Sequence, residues 1–124
     1  MKRLSNSQIV KMHSVLIKET GGLDGIRDEN LLDSAVNAPF QTFDEEFLYK
    51  TLDQKAARLG YGIIKNHPFI DGNKRIGMLA LMVFLELNGI ELNCSDEDII
   101  HVGLSLASGD MEYEQLVKWI IKNS

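Results

Sequence analysis

The stretch "KNHPFIDGNKRIG", residues 65 to 77, sets His67 and Asp71 beside a glycine, an asparagine and the two cations Lys74 and Arg75, just ahead of a long apolar run. Histidine, with an unperturbed pKa of about 6.5, suits abstraction of a proton from a hydroxyl near neutrality. An aspartate in the same tight loop suits Mg²⁺, which commonly takes one or two carboxylates together with substrate phosphates and water. Pro68 and Asp71-Gly72 break regular structure, leaving His67 to Asp71 as a loop and Gly72 to Arg75 as the first turn of a helix. Unpaired N–H groups at such a start attract phosphate oxygens, glycine permits close approach, and Lys74 and Arg75 can add charge-assisted bonds. Cations there oppose the helix dipole, an effect of about 0.3–1 kcal/mol, unless a bound anion compensates. The plainer alternative has Asp71 capping the helix with Lys74 and Arg75 merely solvated, but it does not account for His67. Together the parts point to phosphoryl transfer.

Spacing excludes two familiar sites, because the chain has neither a G-x-x-x-x-G-K-[ST] phosphate loop nor an H-E-x-x-H zinc helix. His13 and His101 fall in ordinary amphipathic segments and read as surface or satisfied core residues. Cys94 reads as a structural thiol.

The elements that must position the loop read as helices. Ser5 or Ser7 caps a first helix with apolar positions at Ile9, Met12, Leu16 and Ile17, stopped by "TGGLDG" at 20 to 25. Asp28 caps a short helix with a stripe of Leu31, Leu32, Ala35 and Val36, closed by Pro39. A helix from Asp44 or Thr51 to about Lys65 carries Leu52, Ala56, Leu59 and Ile63 on one face, with Gly60 and Gly62 permitting close packing. The next, from Gly72 or Asn73 to Leu87, is apolar nearly all round and is expected to be interior. Ser95 caps a fifth, and "DMEYEQLVKWIIKN" supplies the last through Leu116, Trp119 and Ile120. The expectation is an all-α fold of about six helices around a central buried one, in a single domain over residues 1–124.

Composition agrees with an ordinary globular chain: 44% of the 124 residues are apolar and 25% charged. The net charge of −5 argues against general attraction to nucleic acid, so no direct nucleic-acid binding is expected. The run "IGMLALMVFL" at 76 to 85 is shorter than the roughly 20 residues a membrane helix needs, and no membrane association is expected. No signal peptide is read at the N-terminus, and the lone cysteine suits a reducing compartment, so the expected location is the cytoplasm.

The segment "HPFIDGNKR" at 67 to 75 resembles the H-x-F-x-[DN]-[AG]-N-K-R signature of the Doc (death on curing) toxins, a branch of the Fic superfamily whose wider motif is H-P-F-x-[DE]-G-N-G-R-x-x-R. Weaker similarity runs through "GGLDGIRDENLLDSAVNAP", "LYKTLDQKAARLGYGIIKN" and "FLELNG", covering about residues 21 to 89. The resemblance implies that His67 is the base for a target hydroxyl and that Asp71 coordinates Mg²⁺ on ATP. It implies that Gly72 and Asn73 cradle phosphate, that Lys74 and Arg75 grip it, and that Phe69 anchors the loop in the core. It further implies a type II toxin that phosphorylates a threonine of the translation elongation factor delivering aminoacyl-tRNA, restrained by a separately encoded antitoxin. Lys74 stands at the wider motif's second glycine and Met78 at its second arginine, which favours kinase chemistry over AMP transfer. The family's inhibitory [ST]-x-x-x-E-[GN] motif is missing, Asp24 standing where glutamate belongs. The loop "APFQTFDEEFLYK" at 38 to 50, with Phe40, Gln41, Thr42 and Phe43, is the candidate flap for positioning a target, or alternatively closes the core. The alternatives to a kinase are protein nucleotidyl transfer and a catalytically idle interaction module.

Overall fold

The computed structural model describes residues 1–124. Its order is α1 (Asn6–Thr20), α2 (Glu29–Asn37), a 3₁₀ turn (Ala38–Phe40), a hairpin of β1 (Thr42–Phe43) and β2 (Glu46–Phe47), α3 (Leu52–Asn66), α4 (Asn73–Leu87), α5 (Asp96–Ser108) and α6 (Tyr113–Asn123). The expected all-α architecture is therefore present, with only two-residue strands added.

Local chemistry explains most of the helix starts. Ser5, Thr51 and Ser95 each accept a backbone N–H three residues on, at 3.1 Å, while Gln8, Gln54 and Asp98 reach back to the cap residue's own N–H. Asp28 caps α2 through the N–H of Leu31 at 3.0 Å. The last helix begins at Tyr113, capped by Glu112, whose N–H is held by the Gln115 side chain at 2.7 Å.

The core is one cluster that draws on α1 to α6. At its centre α4 buries Ile76, Met78, Ala80, Leu81, Phe84 and Leu85 against α3, α5 and α1. Gly60 and Gly77 let α3 and α4 meet backbone to backbone. A Cβ on Gly60 would lie 3.2 Å from the Gly77 carbonyl, and one on Gly77 would lie 2.6 Å from Ile64 Cγ1. Each helical glycine costs about 1 kcal/mol relative to alanine, and the close approach of two apolar helices offsets it. The α3 and α4 axes thereby bring the last turn of one and the first turn of the other together through a short loop.

Candidate active site

That loop begins where α3 ends. His67 is its C-cap, with left-handed backbone angles of φ 54° and ψ 53°, and its N–H donates to the Ile63 carbonyl at 3.1 Å. A non-glycine residue in this region stores conformational energy and persists only where its surroundings hold it. Arg27 supplies that hold: Nε donates to the His67 carbonyl at 2.7 Å and a terminal nitrogen to the Asn66 carbonyl at 3.0 Å. A cation on the last carbonyls of a helix also opposes the negative end of its dipole. The His67 side chain is left exposed.

Residues 22 to 28 run beside the loop and clamp it. The N–H groups of Arg27 and Asp28 both donate to the Pro68 carbonyl, at 2.7 and 3.0 Å, and Ile70 donates to the Gly25 carbonyl at 3.1 Å. Phe69 bridges Ile26 and is fully buried, which is the anchoring position expected of it. Its ring stacks on the imidazole of His13, with centroids 3.9 Å apart and planes 13° from parallel.

Asp71 turns its carboxylate to backbone donors, Oδ2 accepting from Leu23 N–H at 3.2 Å and Oδ1 from Gly72 N–H at 2.9 Å. These two bonds, with Arg75 at 3.8 Å adding its charge, hold the carboxyl below the usual range against a smaller opposing effect of desolvation. The side chain nevertheless remains 46% exposed. Gly72 follows with φ 77°, a conformation that favours glycine, and a Cβ there would sit 3.0 Å from the Ile17 Cδ1 methyl. No side chain caps α4, unlike α1, α2, α3 and α5, and the N–H groups of Asn73, Lys74 and Arg75 have no carbonyl within the helix to bond. An ionised, accessible carboxylate beside an uncapped helix start and the exposed Lys74 fits Mg²⁺ shared with a phosphate chain.

The geometry qualifies how three of the expected groups can act. The Asn73 side chain is not open to a phosphate: it is 4% exposed, and its amide accepts from Phe69 N–H and donates to the Phe69 carbonyl, both at 3.0 Å. Only its backbone N–H is available. Arg75 is partly engaged, donating to Thr20 Oγ1 and to the Gly21 carbonyl at 2.9 Å, so it ties α1 to α4 as well as presenting charge. The candidate flap residues lie elsewhere. Phe40 packs edge-on to Phe84, far along α4; Gln41 accepts from Leu48 N–H; Thr42 and Phe43 form the exposed hairpin that leads into the first turn of α3. His67 caps the other end of that 15-residue helix. Phe40 thus closes the core, whereas Phe43 does not.

Sequence reasoning passed over Arg27 and the glycine loop. It placed His13 as a surface or satisfied core residue, and His13 is the latter: 1% exposed, bonded by Nε2 to the Asp71 carbonyl at 2.7 Å, with Nδ1 3.4 Å from Asp24 Oδ1. The signal for its direction was present, since Ile9, His13 and Ile17 recur every four residues on the buried face of α1. Met78 is 2% exposed and packs against Gly103 of α5, so that position faces the core and not the loop.

Comparison with known proteins agrees with a shared family. Over 79 residues the chain is 40% identical to a protein named Toxin Doc from Mycolicibacterium smegmatis (strain ATCC 700084 / mc(2)155), covering 64% of this chain and 60% of that relative. It is 23% identical over 111 residues to the Protein kinase doc of Escherichia phage P1, covering 90% of this chain and 86% of that protein. The pattern describing the Fic/DOC family matches residues 3–85, from the segment leading into α1 through most of α4 and including every residue that builds or clamps the loop. The chain belongs to the Fic/DOC family.

Proposed function

We propose that this chain is the toxin of a toxin–antitoxin pair and transfers the γ-phosphoryl group of Mg-ATP to a hydroxyl of a protein. The observation that carries the reading is the uncapped start of α4, set between an ionised Asp71 and the exposed Lys74, next to a strained and exposed His67. Mg²⁺, when bound, would neutralise phosphate charge and orient the triphosphate. Asp71 is the residue that would hold it. The N–H groups of Asn73, Lys74 and Arg75 receive phosphate oxygens, and Lys74 adds charge. His67 accepts the proton of the target hydroxyl as its oxygen bonds to the γ-phosphorus. The bond from that phosphorus to the β-bridging oxygen breaks, and ADP leaves with the electron pair.

The names of the two relatives support a toxin and a kinase respectively. From the resemblance of residues 67–75 to the Doc signature we further propose that the target is the elongation factor that delivers aminoacyl-tRNA and that the partner is a separately encoded antitoxin. Met78, buried under α5, leaves no second arginine to seat a nucleotide for AMP transfer. The deciding experiment gives the purified protein Mg²⁺, a cell extract as target source, and ATP labelled on either the γ- or the α-phosphate. Protein should take label from the γ-position alone. Label from the α-position would replace the reading with nucleotidyl transfer, and no label from either would favour an interaction module. His67→Asn, which tolerates the left-handed backbone, should retain nucleotide binding but slow transfer by about 10²–10⁴-fold.

A further inference from the structure

We infer that His13 is a positioning residue that locks the Asp71–Gly72 peptide and thereby aims the Asp71 carboxylate; the part of this that concerns Mg²⁺ rests on the function proposed above. His13 lies on α1, 58 positions from Asp71, and none of the proposed chemistry uses it. It is buried to 1% exposure, and burying an imidazole without partners is costly, so its contacts have to justify its presence.

Its Nε2 is 2.7 Å from the Asp71 carbonyl oxygen, and because a carbonyl only accepts, Nε2 carries the hydrogen. That carbonyl and the Gly72 N–H belong to one planar peptide unit. The same Gly72 N–H donates to Asp71 Oδ1 at 2.9 Å. Holding the carbonyl at one end of the plane therefore fixes the donor at the other end, and with it the carboxylate. The lock is needed because Gly72 is in the left-handed region, φ 77°, and glycine visits positive and negative φ about equally. Without His13 the peptide is free to turn over, and Asp71 would lose one of the two N–H groups that orient it.

His13 is itself fixed on two further sides. Its ring is stacked on Phe69 at 3.9 Å, inside the same loop, and Nδ1 lies 3.4 Å from Asp24 Oδ1, a contact that attracts only when Nδ1 carries a hydrogen as well as Nε2. Asp24 is held in turn by Ser14 Oγ at 3.1 Å and by the Gly25 N–H at 2.8 Å. A phenylalanine would preserve the stack and lose the bond, whereas glutamine would lose the stack and place an N–H near the position of Nε2. The two substitutions thus separate packing from donation.

The test compares His13→Phe and His13→Gln with the wild-type chain by amide exchange at Gly72 and Leu23 without ligand, and by the Mg²⁺ concentration that half-saturates ATP binding. His13→Phe is expected to speed Gly72 exchange at least tenfold and raise half-saturating Mg²⁺ at least tenfold, with α3 amides unchanged. His13→Gln is expected to recover most of both. Wild-type values in folded His13→Phe would overturn the inference, as would a folded His13→Gln no better than His13→Phe. Imidazole nitrogen spectra of the wild-type protein at mildly alkaline pH should show hydrogen on Nε2, and the other tautomer would overturn the inference even if both variants fail to fold. Should the wild-type chain bind no Mg-ATP, the proposed function fails, and Gly72 exchange with the tautomer still decides the role of His13.

Discussion

Replacing Asn73 with alanine distinguishes a staple from a ligand contact. The side chain makes two 3.0 Å bonds to the backbone of fully buried Phe69, one accepting and one donating. Removing it strands a buried N–H and a buried carbonyl, each costing about 1–3 kcal/mol. The better helix propensity of alanine returns roughly 0.5 kcal/mol. The net loss is therefore about 2–5 kcal/mol, a large share of the roughly 5–15 kcal/mol that holds a domain together. In urea, with a slope of about 1–3 kcal/mol per molar, the midpoint should fall by roughly 1–3 M at unchanged slope. Asn73→Asp should lie between the two, since a carboxylate still accepts from Phe69 N–H but has nothing to donate to the Phe69 carbonyl. A loss below about 0.5 kcal/mol for Asn73→Ala, within the range of ordinary surface substitutions, would refute the reasoning. Abolished Mg-ATP binding alongside that small loss would return Asn73 to the phosphate site.

Three further outcomes are expected. Gly77→Ala puts a Cβ 2.6 Å from Ile64 Cγ1 and 3.1 Å from the Gly60 carbonyl, so despite a better helix former it should destabilise by about 1–3 kcal/mol, measured by thermal or urea unfolding. Asp71 should titrate below the usual aspartate value of about 3.9, as read from its carboxyl carbon shift. Because its folded pKa is lowered, its stabilisation is present above the ordinary value and lost as pH falls through the lowered one, and an unshifted midpoint would reject the two backbone bonds. Tyr113 is pushed up to about 12 by burial and by neighbouring Tyr49. Between about pH 10 and that value the unfolded chain sheds a proton the folded one keeps, so stability should fall there while phenolate absorbance lags.

Helix starts were legible because a cap is a local event: Ser5, Asp28, Thr51 and Ser95 each act within three residues of themselves. The central position of α4 was legible because a helix apolar on all sides has to be surrounded. The residues of the proposed site could be named from sequence because they are contiguous. What holds them was not, since Leu23 reaches Asp71 across 48 positions and Arg27 reaches His67 across 40, and neither carries a motif. Asn73 misled for a related reason: a polar side chain at a helix start reads as outward until Phe69, buried four residues earlier, is seen to require its amide.

Every bond that clamps the loop from outside comes from residues 13 to 28, which makes the loop a shutter hinged on α3 and α4 and latched by His13 of α1 and by the segment between α1 and α2. Closing it ties together stretches 40 or more residues apart, and that closure entropy has to be met before the contacts repay it. A folding chain therefore gains its α3–α4 pair early and its working loop late. The reverse also holds: loosening residues 22 to 28 would open the shutter while the α3–α4 pair stays packed, a local unfolding step well below the global one. On the proposed function, catalytic competence would track the latched fraction of molecules, and anything that binds only the latched form would raise that fraction by mass action.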